Sequence, residues 1–367
     1  MAKLPASLFN DVIGPVMRGP SSSHVAGAAR IGALVRQSLG GDVRSVLVEF
    51  DVNGSLAESY HGHGSDIGFV SGLLDIDLTD PRVPDACAIA ERKGVEVAFS
   101  ILDYGASHPN NYRIAATGGD GRTLHWEAVS VGGGMVEMQR FEGFPVSIDG
   151  GYHEYLLLID AHSAPLEQAA ASVKAVASSD ELRAESDGAR LLINLKRASA
   201  LDAETVARLR ALPGVTGCTA LDPILPTRSW GGCSVPFSNA AGLIGVFIAE
   251  SATFAAEVAG CQVECGAGSG MAAAGIALML GGTVAQCLDA ASMALQNITG
   301  LACDPVANRV EVPCLGKNIM CGFNAVACAN MALAGFDKVI PLDETIAAVY
   351  DVGLMLPLDL RCTLGGL

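Results

Sequence analysis

The chain has 367 residues, half of them hydrophobic and 17% charged, which allows two or three domains with a large core and excludes a disordered chain. A formal net charge of −16 repels nucleic acid and anionic lipid, leaving a protein that acts on a small molecule. The opening residues, Met-Ala-Lys-Leu-Pro-Ala-Ser, hold no apolar signal segment. The eleven cysteines are therefore read as metal ligands, reactive thiols or small core residues of a cytoplasmic protein, not as disulfides. No apolar run reaches membrane-spanning length; Ala240 to Ala249 comes nearest and is stopped by Glu250.

Three regions follow one another. In the first, Met1 to about Gly150, an apolar opening leads into Gly19-Pro20-Ser21-Ser22-Ser23-His24 and a helix from about Ser23 to Leu39. Ser45–Val52 reads as a strand, and a loop rich in Gly and His precedes a helix that includes Ile67–Leu74. Val95–Leu102 and Arg122–Val131 read as extended, and Gly132-Gly133-Gly134 as a turn or a close-approach site. The second region, about Gly151 to Pro226, alternates strand Tyr155–Ile159, helix Ala164–Ala177, strand Ala189–Leu195, helix Asp202–Leu212 and strand Gly214–Leu221. With one more strand in Ser178–Asp187, the order is the ferredoxin-like pattern. Without a catalytic cluster of its own, this region reads as a regulatory or dimerisation module.

The third region, from about Leu225 to Leu367, is mostly helical by pattern, with helices over Gly266–Leu280, Thr283–Gln296, Phe323–Ala334 and Leu342–Val352 and cysteine-bearing loops between them. It is unusually rich in Gly and Ala, a composition suited to close helix packing or to tight loops around a cofactor.

Four constellations carry chemistry. Cys261, Cys303 and Cys314 lie among Gly, Ala and apolar residues, and Asp304-Pro305 and Pro313 break the chain beside two of them. Thiolates suit iron–sulfur clusters or zinc, and three protein ligands are one short of a closed site. An open metal position can bind and polarise a substrate. Gly-Pro-Ser-Ser-Ser-His is either a capped helix start or an anion site for a carboxylate or phosphate, with Ser21, Ser22, Ser23 and His24 as donors. His61-Gly62-His63-Gly64-Ser65-Asp66 offers imidazole bases in a loop that a ligand can approach closely; an exposed turn and a zinc site are the competing readings. Ser107-His108-Pro109-Asn110 is an ordinary turn or a third polar patch of the same site. Cys265, four residues after Cys261, is either a ligand or core; Cys321 and Cys328 read as core, and Cys87, Cys218, Cys233 and Cys287 as structural.

Taken together these motifs resemble bacterial iron–sulfur-dependent L-serine dehydratases. Gly-Pro-Ser-Ser-Ser-His, Gly-His-Gly-Ser-Asp and His-Pro-Asn resemble the family's N-terminal β domain in order. Gly260-Cys261-Gln262, Cys303-Asp304-Pro305-Val306 and Glu311-Val312-Pro313-Cys314 resemble its cluster-binding α domain, as do the spacings between these cysteines, and Arg361-Cys362-Thr363 with Gly365-Gly366-Leu367 resembles its C-terminal signature. The middle region resembles the ACT module of some members.

The resemblance implies an α+β multidomain protein: a serine dehydratase β domain of α/β type over 1–150, an ACT module over 151–226 and a shortened, mostly helical α domain over 227–367. It implies a [4Fe–4S] cluster on Cys261, Cys303 and Cys314 and no pyridoxal phosphate. His63 is the expected base, with His61 and His24 behind it. Ser21, Ser22, Ser23, His24, Ser65, Asp66, His108 and Asn110 are expected to bind and orient L-serine, which loses water and ammonia to give pyruvate in serine degradation. A homodimer through the middle module is expected.

Two departures from the family accompany the resemblance. Val235-Pro236-Phe237-Ser238-Asn239 runs almost directly into Gly242-Leu243-Ile244, without the helical stretch and Pro-Thr-Ala-Gly motif of fused members. No tail cysteine of the kind that caps the cluster in some members is found, and Cys362, inside Arg-Cys-Thr, is not expected to replace it. The alternatives are an inactive or regulatory relative that binds an amino acid, a related lyase acting on cysteine or threonine, and a zinc protein.

Overall fold

A computed structural model describes residues 17–224, 235–306, 309 and 312–363. The apolar opening, the 226/227 boundary, Cys233, Glu311 and Gly365–Leu367 lie outside the described residues. The N-terminal part is built on a six-stranded sheet of order β2-β1-β3-β4-β5-β6, with β1 Val43–Asp51, β2 Glu96–Leu102, β3 Asn111–Gly118, β4 Thr123–Gly132, β5 Met135–Phe141 and β6 Phe144–Ile148. Only β1 and β2 pair in parallel; the remaining neighbours are antiparallel. Along β1, Val46, Val48 and Phe50 are buried while Leu47 faces out, the two-residue alternation of a sheet covered on one side.

The cover is a pair of helices, α1 Ser22–Ser38 and α3 Ser65–Leu73; the short helix α2 spans Leu56–Ser59. Ile31, Leu34, Val35, Phe69 and Leu73 pack with Val48, Phe50, Ile114, Trp126 and Met138 in one core. The two helices touch backbone to backbone. A Cβ on Gly72 would stand 2.0 Å from the Ala29 carbonyl oxygen, and one on Gly32 would stand 2.1 Å from that of Phe69. This contact fixes the start of α1 beside the start of α3, and Ser21 N–H donates to the His63 carbonyl at 3.1 Å. Helix α4, Ala86–Arg92, lies between α3 and β2 in the chain. It was not expected from sequence, nor were β3, β5 and β6.

The middle region forms a four-stranded antiparallel sheet of order β10-β7-β9-β8: β7 His153–Asp160, β8 Glu181–Ser186, β9 Arg190–Arg197 and β10 Val215–Leu221. Helices α5 Leu166–Val176 and α6 Ala203–Arg210 connect these strands. Val173 and Leu209 pack on Tyr155, Leu157, Ile193 and Leu195. The alternate residues Leu156, Leu192 and Leu221 join the core of the first part. Between the two sheets, Glu154 is fully buried and meets Lys196 at 3.3 Å and the Asn194 amide at 2.8 Å. The pair is tolerated because both charges have partners.

The C-terminal part is helical: α7 Val235–Ser251, α8 Ala256–Ala259, α9 Cys261–Met279, α10 Val284–Gln296, α11 Cys314–Leu333 and α12 Leu342–Met355. Its core is lined by Ala267, Ala273, Ala277, Ala290, Ala294, Ala325 and Ala329, small side chains that let the helices around α9 approach closely. Two helices begin earlier than expected, α9 at Cys261 instead of Gly266 and α11 at Cys314 instead of Phe323. Their first turns carry Cys, Gln, Glu, Lys and Asn, which break the apolar periodicity. Cys261 and Cys314 therefore open helices rather than lying in loops. Cys87, read as structural, is exposed.

The N- and C-terminal parts meet at the glycine turn after β4. Gly132, at φ +94°, bridges to Phe254, and a Cβ there would stand 2.4 Å from the Phe254 carbonyl carbon. Gly72→Ala is expected to force α1 and α3 apart and to destabilise the protein by roughly 2 kcal/mol or more; the urea midpoint measures it, and an unchanged midpoint contradicts the backbone contact.

Candidate active site and thiol cluster

Ser21 caps α1 with extended backbone, but its hydroxyl makes no capping bond. It lies 2.7 Å from His24 Nδ1 instead. His24 Nε2 lies 2.6 Å from Glu257 Oε1, and both side chains are buried. In the first turn of α9, Glu264 accepts a 3.0 Å hydrogen bond from Ser23 Oγ. Thus Ser23 and His24 meet the C-terminal helices and Ser21 meets His24, while Ser22 is exposed.

His63 is fully buried, its ring centre 4.3 Å from that of His24. Neither of its ring nitrogens has a hydrogen-bond partner among the described residues. His61 is 83% exposed and bonds Asp66 Oδ2 at 2.6 Å through Nδ1. The structure therefore separates two histidines that the sequence places two residues apart. Ser65 is buried at the start of α3 beside His63, and Asp66 also accepts from the Ile67 N–H at 2.8 Å. Asn110 is buried, accepts from Ser55 Oγ at 2.6 Å and donates its N–H to His108 Nδ1 at 3.1 Å. His108 is close enough to feel the Glu257 charge.

The cysteines converge from four segments: α9, the connection between α10 and α11, α11, and the chain after α12. The ligand atoms of Cys261, Glu264 and Cys303 all lie within 4.8 Å of one another. Cys314 is in hydrogen-bond contact with Cys303. Cys362 Sγ lies 3.4 Å from Cys303 Sγ, which places the Arg-Cys-Thr segment against the thiol cluster. Cys265 lies 3.1 Å from Cys261 and also contacts Cys321; both are buried. Cys328 is buried in the helical core as expected.

Electrostatics follow from burial. Desolvation alone would lower the His24 pKa, but the Glu257 carboxylate outweighs it and holds His24 above its ordinary value. Desolvation would likewise raise Glu257, yet His24 holds it down at about 2. His63 has no carboxylate in contact, so burial and the neighbouring His24 charge lower it to about 3. Burial, the Cys261 sulfur and the Glu257 carboxylate push Glu264 up to about 8. The Cys265 and Cys303 thiols, with help from the Lys317 ammonium, pull Cys261 down to about 4. Cys261 and Cys314 each open a helix, where the unpaired N–H groups favour a thiolate. Sulfur donors at two helix starts, Cys261 buried and Cys314 half-buried, beside a lysine, form a site that fits a metal cluster.

Glu257, Glu264 and Cys362 were not singled out from sequence as site residues. Glu264 follows Cys261 by three and Glu257 precedes it by four, so both carried a helical-spacing signal. That signal was lost among 39 acidic residues.

This arrangement defines a class: a thiol-rich metal-cluster site closed by serine and histidine motifs from the other end of the chain. Residues 235–367 match the family described as serine dehydratase alpha chain. The N-terminal part is similar to the probable L-serine dehydratase beta chain of Bacillus subtilis (strain 168), with 42% identity over 148 residues, 40% of this chain and 66% of that one. The C-terminal part is similar to the probable alpha chain of the same organism, with 46% identity over 138 residues, 38% of this chain and 45% of that one. The chain thus spans just under two thirds of the first relative and less than half of the second. L-serine dehydratase 2 of Escherichia coli (strain K12) aligns over 424 positions at 28% identity, covering 91% of this chain and 92% of that one. The chain is thus similar to serine dehydratases in both of its parts, with beta-like and alpha-like segments in one polypeptide.

The His63 shift has a measurable consequence. In the unfolded chain His63 takes up a proton near pH 6.5, whereas the folded protein refuses it until about pH 3. Stability therefore falls as pH falls through that window, by on the order of a few kcal/mol. His63→Asn is expected to flatten this acid-side loss in urea titrations at pH 7 and pH 4. Equal slopes in the two proteins contradict a buried neutral His63.

Proposed function

We propose that this chain is an L-serine dehydratase that converts L-serine to pyruvate and ammonia at a [4Fe–4S] cluster held by Cys261, Cys303 and Cys314. One observation carries the reading: His24 and His63 of the beta-like part meet Glu257, Glu264 and the cysteine cluster of the alpha-like part in a single buried site. The names of the relatives point to the same chemistry.

When bound, the cluster supplies a Lewis-acidic iron that makes hydroxide a better leaving group. The chain's own residues do the rest. His24, kept cationic by Glu257, and the Ser21 hydroxyl receive the substrate carboxylate. Ser22, Ser23, Ser65, Asp66, His108 and Asn110 belong to the binding walls and their support. His63, neutral and with free ring nitrogens, takes the Cα proton. His61 is the second-ranked base, and its exposure favours His63. Loss of water leaves an enamine, which tautomerises and hydrolyses to pyruvate and ammonia; no step uses pyridoxal phosphate.

In this reading residues 1–150 form the substrate-binding domain, 151–226 an ACT-like module that pairs two copies of the chain, and 227–367 the cluster-binding domain of a cytoplasmic enzyme. A second reading, an inactive or regulatory relative, draws on the 424 aligned positions that relate this 367-residue chain to the E. coli protein. The excess corresponds to residues that this chain lacks.

Anaerobic loading with iron and sulfide is expected to give broad visible absorption and pyruvate release from L-serine, faster than from L-threonine or L-cysteine. A cluster without pyruvate supports the inactive relative, and colourless zinc-loaded protein removes the cluster reading. Cys303→Ser is expected to lose both cluster and activity. His63→Ala is expected to keep the cluster and lose about 10²–10⁴-fold in kcat; near-normal turnover in that variant rules His63 out as the base.

A further inference from the structure

We propose that helix α11 pairs antiparallel with its counterpart in a second copy of this chain, through the side that carries Leu315, Ile319, Phe323 and Val326. The inference goes beyond the proposed reaction and adds a second pairing to the one assigned to the middle module.

Helix α11 spans Cys314–Leu333 and carries a single charge, Lys317. Lys317 is half-buried and donates to the Ala302 carbonyl at 2.5 Å, so the exposed residues of the helix are all uncharged. Leu315, Ile319, Phe323 and Val326 recur every three or four residues and line one side. All four are exposed, Phe323 by 75%, and Met320 beside them is exposed too. The opposite side holds Ala325, Cys328 and Ala329 in the helical core. These five exposed side chains leave on the order of 500 Å² of apolar surface, near the upper end for a monomer. With the exposed Gly, Asn and Ala residues between them, the face comes to about the 800 Å² that each partner gives to a standard stable interface. Copies of a chain with net charge −16 repel one another, and a helix side without charge is where two of them can meet.

The face is also close to self-complementary. With the twofold axis at the level of Cys321, antiparallel pairing sets Ile319 of one copy against Phe323 of the other. The same register sets Val326 against Gly316, Met320 against Gly322 and Leu315 against Ala327. Three large side chains thus meet small residues, and the fourth contact joins two large ones near the axis. A Cβ built on Gly316 or Gly322 would have no atom within 4 Å, so both glycines leave room for an incoming side chain. Each contact occurs twice about the axis, as an isologous interface requires. An unrelated protein would have no reason to follow this register, so the face commits to a second copy. Two pairings about different axes, this one and that of the middle module, build a closed assembly of four chains.

Sedimentation of the full chain under reductant tests this, with Ile319→Lys and Phe323→Glu measured alone and as an equimolar mixture. Both positions are exposed, and circular dichroism and urea midpoints check that each variant folds. The unsubstituted chain is expected to sediment as four copies and each variant alone as two, a twofold fall in mass. In the mixture the introduced ammonium of one variant faces the introduced carboxylate of the other, while the second Ile319–Phe323 contact stays intact. The mass is therefore expected to return to four copies. Two copies falling to one, with recovery on mixing, supports this pairing and removes that of the middle module. Equal masses for the unsubstituted chain and both variants overturn the proposal. A fall that mixing does not reverse overturns it as well, because the register or the partner is then different. An unsubstituted monomer overturns both pairings. Mass is measured without substrate or cluster, so the serine dehydratase reading stands or falls separately.

Discussion

His24 and Glu257 come from opposite ends of the chain and meet 2.6 Å apart with almost no access to solvent. Removing one member of such a buried pair costs about 3–5 kcal/mol, because the other is left charged and unpaired. The pair therefore acts as a register pin between the beta-like and alpha-like parts. It also sets the charge pattern of the site. Burial, helped by the charge on His24, keeps His63 neutral, and burial, helped by the Cys261 sulfur and an anionic Glu257, pushes Glu264 up. Hydrophobic contact could hold the two parts together, but it would not decide which imidazole carries the charge.

Around this pin each part supplies what the other lacks. The close packing of α1 on α3 brings Ser21, Ser23, His24 and His63 to one edge of the sheet. These residues can bind an anion and move a proton, yet they offer no soft metal ligand set. The starts of α9 and α11 and the Arg361–Thr363 segment bring the thiols together, with Lys317 offsetting their charge. These residues can hold a metal cluster but include no imidazole. Separate alpha and beta chains in Bacillus subtilis relatives match the two parts of this single polypeptide, which fits a site completed only when the two come together.

Much of this was legible in the sequence. Alternating and helical periodicities located α1, β1, α3 and the six elements of the middle sheet to within a few residues, because each buries one continuous apolar face. The serine, histidine and cysteine motifs stood out because several hydroxyl, imidazole or thiol groups crowd into a few residues beside glycine or proline. What escaped were elements whose pattern is dictated by the site or by partners distant in sequence. The first turns of α9 and α11 look polar because they face the thiol cluster. β3, β5 and β6 depend on sheet neighbours for their recognition. Glu257 and Glu264 are ordinary acidic residues until the fold buries them. Cys362 reads as one letter of a terminal motif until the fold sets it against Cys303. His61 and His63 could not be told apart from spacing alone, since the turn between them sends one to solvent and the other into the core.

The most direct test of this account is the protonation of the histidines in the metal-free protein. Only seven are present, so nitrogen-15 imidazole spectra can follow each one across pH. The account predicts His24 doubly protonated at pH 7 and His63 neutral from pH 7 down to about pH 4, with His24 dropping below its ordinary value in Glu257→Gln. A neutral His24 at pH 7, or a His63 that titrates near pH 6.5, would contradict the charge pattern on which the site is built.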